Sequence, residues 1–232
     1  MALIHERMNR GRTQMGWLDS FHTFSFGGFT DPTRMGVRNL RVINEDRVIP
    51  GGGFGKHSHA QMDILTYVLS GALKHEDSMG NSAVIKPGEV QLMSAGSGVT
   101  HSEMNASDLE PVHFLQIWII PDQQIDTPTY ESVTVDGDAS TNRFALVAGP
   151  DKEPDSVQLL SNTRIYLTRL TDQHSITHNF DDSHAGFLHV ISGQIDIDGE
   201  TLSTGDALQF ENRSGCTITA KSDAELLLFD LP

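Results

Sequence analysis

Apolar residues in this chain fall in short runs rich in β-branched and aromatic side chains, at Leu40-Arg41-Val42-Ile43 and at residues 64–69, 112–120, 186–191 and 225–229. Gly, Asn, Asp and Pro separate the runs. No long stretch repeats its apolar positions every three and four residues, so helix is expected to be a minor component. Strand-length runs closed by turn-forming residues predict an antiparallel β-sandwich or barrel architecture.

The pattern also repeats. Val68-Leu69-Ser70-Gly71 followed by Pro87-Gly88-Glu89-Val90-Gln91-Leu92 returns as Val190-Ile191-Ser192-Gly193 followed by Thr204-Gly205-Asp206-Ala207-Leu208-Gln209. Each copy reads as a strand ending in a Gly turn, a hairpin, then a second Gly turn before another strand. The chain therefore looks like two related β domains. Residues 122–140 are rich in Asp, Pro, Thr and Gly and lack a sustained apolar pattern, which places an N-terminal domain at 1–135 and a C-terminal domain at 136–232.

Charge narrows the partners. Sixteen Lys and Arg stand against 31 Asp and Glu, a net charge of −15, with no basic stripe to neutralise a row of phosphates. That argues against direct nucleic-acid binding and against an anionic membrane surface. The first residues reach His5, Glu6 and Arg7 before an apolar signal region forms, and the longest apolar runs are of strand length, so no membrane span is expected. Cys216 is the single cysteine, which forbids an internal disulfide and agrees with a reducing cytoplasm.

Candidate chemistry sits in two Gly-rich segments. In Gly51-Gly52-Gly53-Phe54-Gly55-Lys56-His57-Ser58-His59 two imidazoles stand at i and i+2, a spacing that points both to one face of a strand. Gly96-Ser97-Gly98-Val99-Thr100-His101-Ser102-Glu103 repeats the spacing with an imidazole and a carboxylate. If the two strands face one interior, three nitrogens and one oxygen converge, a set suited to Fe, Mn, Ni, Cu or Zn rather than Ca or Mg. His5, His22, His75, His113 and His174 lack paired spacing and read as ordinary hydrogen-bonded histidines. Trp17, Phe21, Phe24, Phe26 and Phe29 read as core packing of the N-terminal segment, and Met62, Met79 and Met93 as core filling. No helix follows the glycines at 51–53, so a phosphate cradle is not expected.

These segments resemble the two cupin signature motifs. Gly51, His57, His59, Asp63 and Gly71 match the first; Gly88, Gly96, His101 and Asn105 match the second, with Ser94 where the motif has Pro. Residues 11–121 are similar to the pirin family, through Gly16-Trp17-Leu18-Asp19-Ser20, His22-Thr23-Phe24-Ser25-Phe26, Asp77-Ser78-Met79-Gly80-Asn81 and Met93 to Glu103. The resemblance implies an all-β bicupin of two antiparallel sandwich or jelly-roll barrels, with one divalent transition metal, iron(II) first, in the N-terminal one. Many cupins take their carboxylate ligand from the first motif, at Asp63 here; pirins take it from the second. The resemblance therefore implies His57, His59, His101 and Glu103 as ligands, with Asp63 as an outer acceptor for a ligand imidazole. Counting from Gly193 and Gly215, the C-terminal copy offers Asn179, Asp181, Ile218 and Ala220 at the matching places, so a second metal is not expected.

The same resemblance implies a dioxygenase that cleaves flavonols such as quercetin, with dioxygen as co-substrate and Glu103 as general base toward the flavonol 3-hydroxyl. A different class of function is also implied: a non-enzymatic, metal- or redox-dependent regulator that binds a partner protein. A monomer or weak dimer in the cytoplasm is expected. The ligands alone do not fix the substrate.

Overall fold

The computed structural model describes residues 2–181 and 183–232 and shows two β-sandwiches joined back to back. The N-terminal one pairs a seven-stranded sheet with a four-stranded sheet. In spatial order the larger sheet runs Thr129–Thr134, Glu89–Ser94, Asp63–Ser70, Val112–Ile119, Leu40–Val48, Leu18–His22, Gly11–Gln14; the smaller runs Gly53–His59, Val99–Asn105, Leu73–Asp77, Ser82–Ile85. The C-terminal sandwich likewise pairs a seven-stranded with a four-stranded sheet, one strand of the larger being Ala2–His5 from the start of the chain. Helix among the described residues is limited to a 3-10 turn at Arg7–Asn9 and one short helix, Gly137–Ser140. None is long and apolar enough to cross a membrane. The all-β bicupin architecture expected from the sequence is the observed one.

The apolar runs become the central strands of the large sheets, buried on both faces. In Asp63–Ser70, alternation sends Leu65 and Tyr67 to one side and Ile64, Thr66 and Val68 to the other. Leu65, Leu115 and Ile117 meet Ile165, Phe187 and Phe229 of the C-terminal sheet in the largest apolar cluster of the molecule, so the backs of the two large sheets form its centre. Each such side chain withdrawn from water contributes roughly 1.5–3 kcal/mol.

The edge of each large sheet is closed by a strand from elsewhere in the chain. Thr129–Thr134 lies beside Glu89–Ser94, and Ala2–His5 crosses to the C-terminal sheet to pair with Ala207–Glu211. Arg7 then bonds Asp206 of the C-terminal sandwich and Arg10 bonds Glu45 of the N-terminal one, so residues 2–10 strap the two together.

The two interiors differ. The C-terminal interior is built on an apolar cluster around Leu188, Phe210, Ile218 and Leu228, with Asp230, His178 and His184 bonded together beside it. The N-terminal interior is apolar at its ends, around Phe114 and Leu73 at one and Met93 and Val99 at the other. Between them a polar belt crosses the large sheet, because strand register lines up Gln91, Thr66, Gln116, Asn44 and His22. The matching register in the C-terminal sheet lines up Leu208, Leu188, Leu228 and Tyr166.

Candidate metal centre

The polar belt faces the strands Gly53–His59 and Val99–Asn105, whose antiparallel pairing sets His101 directly across from His57. The register slips by one residue between His101 and Glu103, where Glu103 pairs with Phe54. Gly53 permits this close approach: a Cβ there would stand 2.5 Å from the Glu103 carbonyl oxygen and 2.6 Å from Met104 Cα. The imidazole rings of His57, His59 and His101 lie 4.4–5.0 Å apart, centre to centre. One ligating nitrogen from each falls within 4.8 Å of the others.

The protonation chemistry suits a cation. His57 Nδ1 lies 2.8 Å from the Gly55 carbonyl oxygen, which can only accept, so Nδ1 is the donor and Nε2 is the nitrogen left for a ligand. Burial, then the neighbouring His57, lowers the pKa of His59 to about 4. Burial, then His57, His59 and His75, lowers that of His101 to about 3. Both rings are neutral at pH 7. His59 Nε2 and both ring nitrogens of His101 are buried without a hydrogen-bond partner. Unpaired buried polar atoms are costly, and three convergent lone pairs are satisfied together by one metal ion. The residues present fit the implied group.

Glu103 stands outside the group of three whose ligating atoms lie within 4.8 Å of one another. Its carboxylate is 1% exposed and held from the large sheet: Gln116 Nε2 donates to Oε2 at 2.6 Å and Thr66 Oγ1 donates to Oε1 at 3.2 Å. Trp118 Nε1 donates to Gln116 Oε1, which fixes the orientation of that amide. Burial raises the Glu103 pKa, opposed by the Gln116 hydrogen bond and the nearby His75 and His57.

Two sequence expectations need correction. Asp63 is no outer acceptor for a ligand imidazole: it lies on the opposite face of its strand from Thr66, and Oδ2 accepts from the backbone N–H of Leu160 in the C-terminal sandwich. His75 is, as expected, a hydrogen-bonded histidine of the core, and it stands close to the cluster. It is fully buried, its Nε2 bonds Asp77 at 3.1 Å, and its ring centre lies 5.3 Å from that of His101. In the C-terminal copy the count from Gly193 is out of register by three, because six residues separate His178 from Ala185 where three separate His59 from Asp63. Ile218 pairs with Ile176, and Cys216 with His178, where His101 pairs with His57 and Val99 with His59. Ile176 and His178, not Asn179 and Asp181, occupy the places of His57 and His59. His178 is bonded instead to Asp230 at 3.2 Å. The aromatic stretch also divides: Phe24 is core, whereas Phe26 packs on Trp118, which packs on His59. Thr66, Gln116 and Asp77 give no motif signal of their own; Asp77 is marked in the sequence only as part of the segment Asp77–Asn81.

Comparison with known proteins places this geometry. Residues 5–119 match the Pirin family and residues 146–231 match the quercetinase C-terminal cupin domain. The chain is 41% identical over 232 residues to a quercetin 2,3-dioxygenase of Escherichia coli, covering 100% of this chain and 99% of that protein. The crystal structure of YhhW from Escherichia coli, 41% identical, superimposes with a TM-score of 0.96 over 100% of this chain and 98% of that one. A second structure, the bacterial pirin YhhW in complex with nickel(II), is 40% identical with a TM-score of 0.95, covering 100% and 99%.

Proposed function

The chain belongs to the pirin family, and from that premise we propose that it is a metal-dependent dioxygenase cleaving flavonols such as quercetin, with His57, His59, His101 and Glu103 as the metal-binding residues. The observation that carries this reading is the set of three imidazoles whose ligating nitrogens converge, those of His59 and His101 buried without a hydrogen-bond partner, beside a carboxylate held in place. A divalent transition ion held there, iron(II) or nickel(II), supplies Lewis-acid charge and one-electron chemistry toward dioxygen.

The chain's own residues do the remaining work. Glu103, its proton affinity raised by burial, accepts the proton of the flavonol 3-hydroxyl as general base. Gln116 and Thr66 hold the carboxylate while it waits, and the Trp118 bond keeps the Gln116 N–H directed at it. Trp118 and Phe54, packed on His59 and His57, keep bulk water from the anion that forms. The ring then opens with uptake of dioxygen and release of carbon monoxide.

Metal-free protein reconstituted separately with Fe(II), Mn(II), Ni(II) and Cu(II) is incubated with quercetin under oxygen, following carbon monoxide, flavonol absorbance and metal content. Expected are one metal per chain and turnover with at least one ion. Glu103→Ala should abolish turnover and Asp63→Ala should retain it. Absence of turnover with all four metals sinks the dioxygenase reading.

A further inference from the structure

Beside the metal centre lies a cavity of about 270 Å³. Phe26 and Phe54 form two of its walls, and Gln116, Asn44, Asp46 and Ser20 lie on its polar floor. Two aromatic arms join it to the histidine cluster. Phe26 packs edge-on to Trp118 and Trp118 to His59, with ring centres 5.4 and 5.0 Å apart, while Phe54 lies 6.4 Å from His57. Gln116 belongs to both places, lining the cavity and donating to Glu103. A planar substrate whose reacting edge sits at the histidines therefore has a slot between aromatic faces for the ring that extends away.

The floor is specific. Asn44 Oδ1 is taken by His22 Nδ1 at 2.8 Å, and His22 Nε2 by Thr13 Oγ1 at 2.8 Å, so those groups are already partnered. Asp46 is not satisfied. It is 2% exposed, it lines the cavity, and its Oδ1 has no hydrogen-bond partner. Burial pushes its pKa up to about 7 against a hydrogen bond from Ser20, with the charges of Glu103 and Glu45 adding to the rise. A buried carboxyl in that condition lacks a donor that a ligand can bring.

We propose that this cavity holds the catechol ring of the flavonol and that Asp46 accepts hydrogen bonds from its hydroxyls, making Asp46 a specificity-determining residue. The inference rests on the flavonol reading above for the identity of the ring. The two adjacent O–H groups of a catechol reach one carboxylate together, and the apolar walls take the ring faces. A flavonol without those hydroxyls fills the same walls but leaves Asp46 unpaired, and such mismatches are rejected more strongly than a missing apolar contact.

The test compares quercetin with galangin, the flavonol that lacks both hydroxyls of that ring. Metal-free protein is titrated by calorimetry under nitrogen, and metal-loaded protein is assayed for kcat/KM. Wild type should favour quercetin by about tenfold or more in Kd and in kcat/KM, the effect of one hydrogen bond to a buried charged group. In Asp46→Asn, close to isosteric, that ratio should collapse toward one. Equal affinity of wild type for the two flavonols overturns the proposal without any variant, as does a ratio that survives in Asp46→Asn, or binding of neither flavonol. Asp46-dependent binding without turnover would leave the proposal standing and remove the dioxygenase reading instead.

Discussion

At the scale of single residues, the ligand pairs are legible because strand geometry converts a spacing of two into a shared face, and His57, His59 and His101 carry that spacing in Gly-rich surroundings. Their supports are not. Thr66 and Gln116 are lone polar residues inside apolar runs, and only the pairing of Gln116 with Thr66 on neighbouring strands shows that both reach Glu103. Asp63 misleads for the converse reason: it occupies the motif position for an acid but sits three residues from Thr66, hence on the far side of the sheet. The Gln116 amide is the stronger support, at 2.6 Å from a carboxylate that is 1% exposed. Gln116→Leu should lower metal affinity about 10–100-fold, the usual effect of losing a group that orients a ligand. It should also destabilise the metal-free protein by about 1–3 kcal/mol, since Glu103 then keeps the Thr66 hydroxyl but loses its amide donor. Chelator competition and urea unfolding measure the two effects; unchanged metal affinity would mean that Glu103 needs no positioning from the large sheet.

At the scale of elements, the central strands are legible because they are continuous apolar runs, while the edges are not. Gly11–Gln14 and Thr129–Thr134 are short and polar, and nothing local tells Ala2–His5 to cross to a sheet whose strands lie some two hundred residues away. Loop length was the second blind spot, since three additional residues between His178 and Ala185 shift the count that aligns the two copies. The strand Gly53–His59 shows how backbone proximity alone builds the centre. At Gly53 an added Cβ meets backbone and the Met104 sulfur at 2.5–2.6 Å, whereas at Gly55 it meets nothing within 4 Å. Gly53→Ala must therefore push this strand off Val99–Asn105 and carry His57 away from His101. A loss of roughly 1–3 kcal/mol is expected, as for other overpacked sites, with weakened metal binding. Gly55→Ala should leave both nearly unchanged. Thermal unfolding and metal titration of the pair decide the matter, and identical behaviour of the two variants would remove close approach as the cause.

At the scale of the whole molecule, the duplication is legible but the way its halves meet is not, because strands buried on both faces do not show which face turns inward. Polar residues mark the join. Glu45, on the face of Leu40–Val48 opposite Asn44 and Asp46, accepts from Arg10 and Arg47 at 2.7 Å and from His113 at 3.0 Å. Arg10 in turn lies against Gly205 of the C-terminal sandwich, next to the Asp206 that holds Arg7. Burial alone raises the Glu45 pKa, but the hydrogen bonds from His113 and Arg10 and the charges of Arg10 and Arg47 outweigh it and hold the carboxyl well below the usual range. A carboxyl whose folded pKa is depressed contributes stability that is fully present above its unfolded value, near 4.5, and is lost as pH falls toward the folded one. His189 in the C-terminal sheet acts at higher pH. Burial, then the charge of Arg10, lowers its pKa to about 4, so the unfolded chain takes up that proton first as pH falls from about 6.5. Stability should therefore decline in two stages, below about pH 6.5 through His189 together with His59 and His101, and below about 4.5 through Glu45 as well. Glu45→Gln leaves Arg10, largely buried, without its carboxylate and should cost about 3 kcal/mol at pH 7. Its decline below pH 4.5 should be shallower than wild type, while the stage above is kept. Urea unfolding from pH 7 to pH 3 would separate the two stages, and parallel curves for wild type and Glu45→Gln would show that the carboxylate at this junction does not control acid stability.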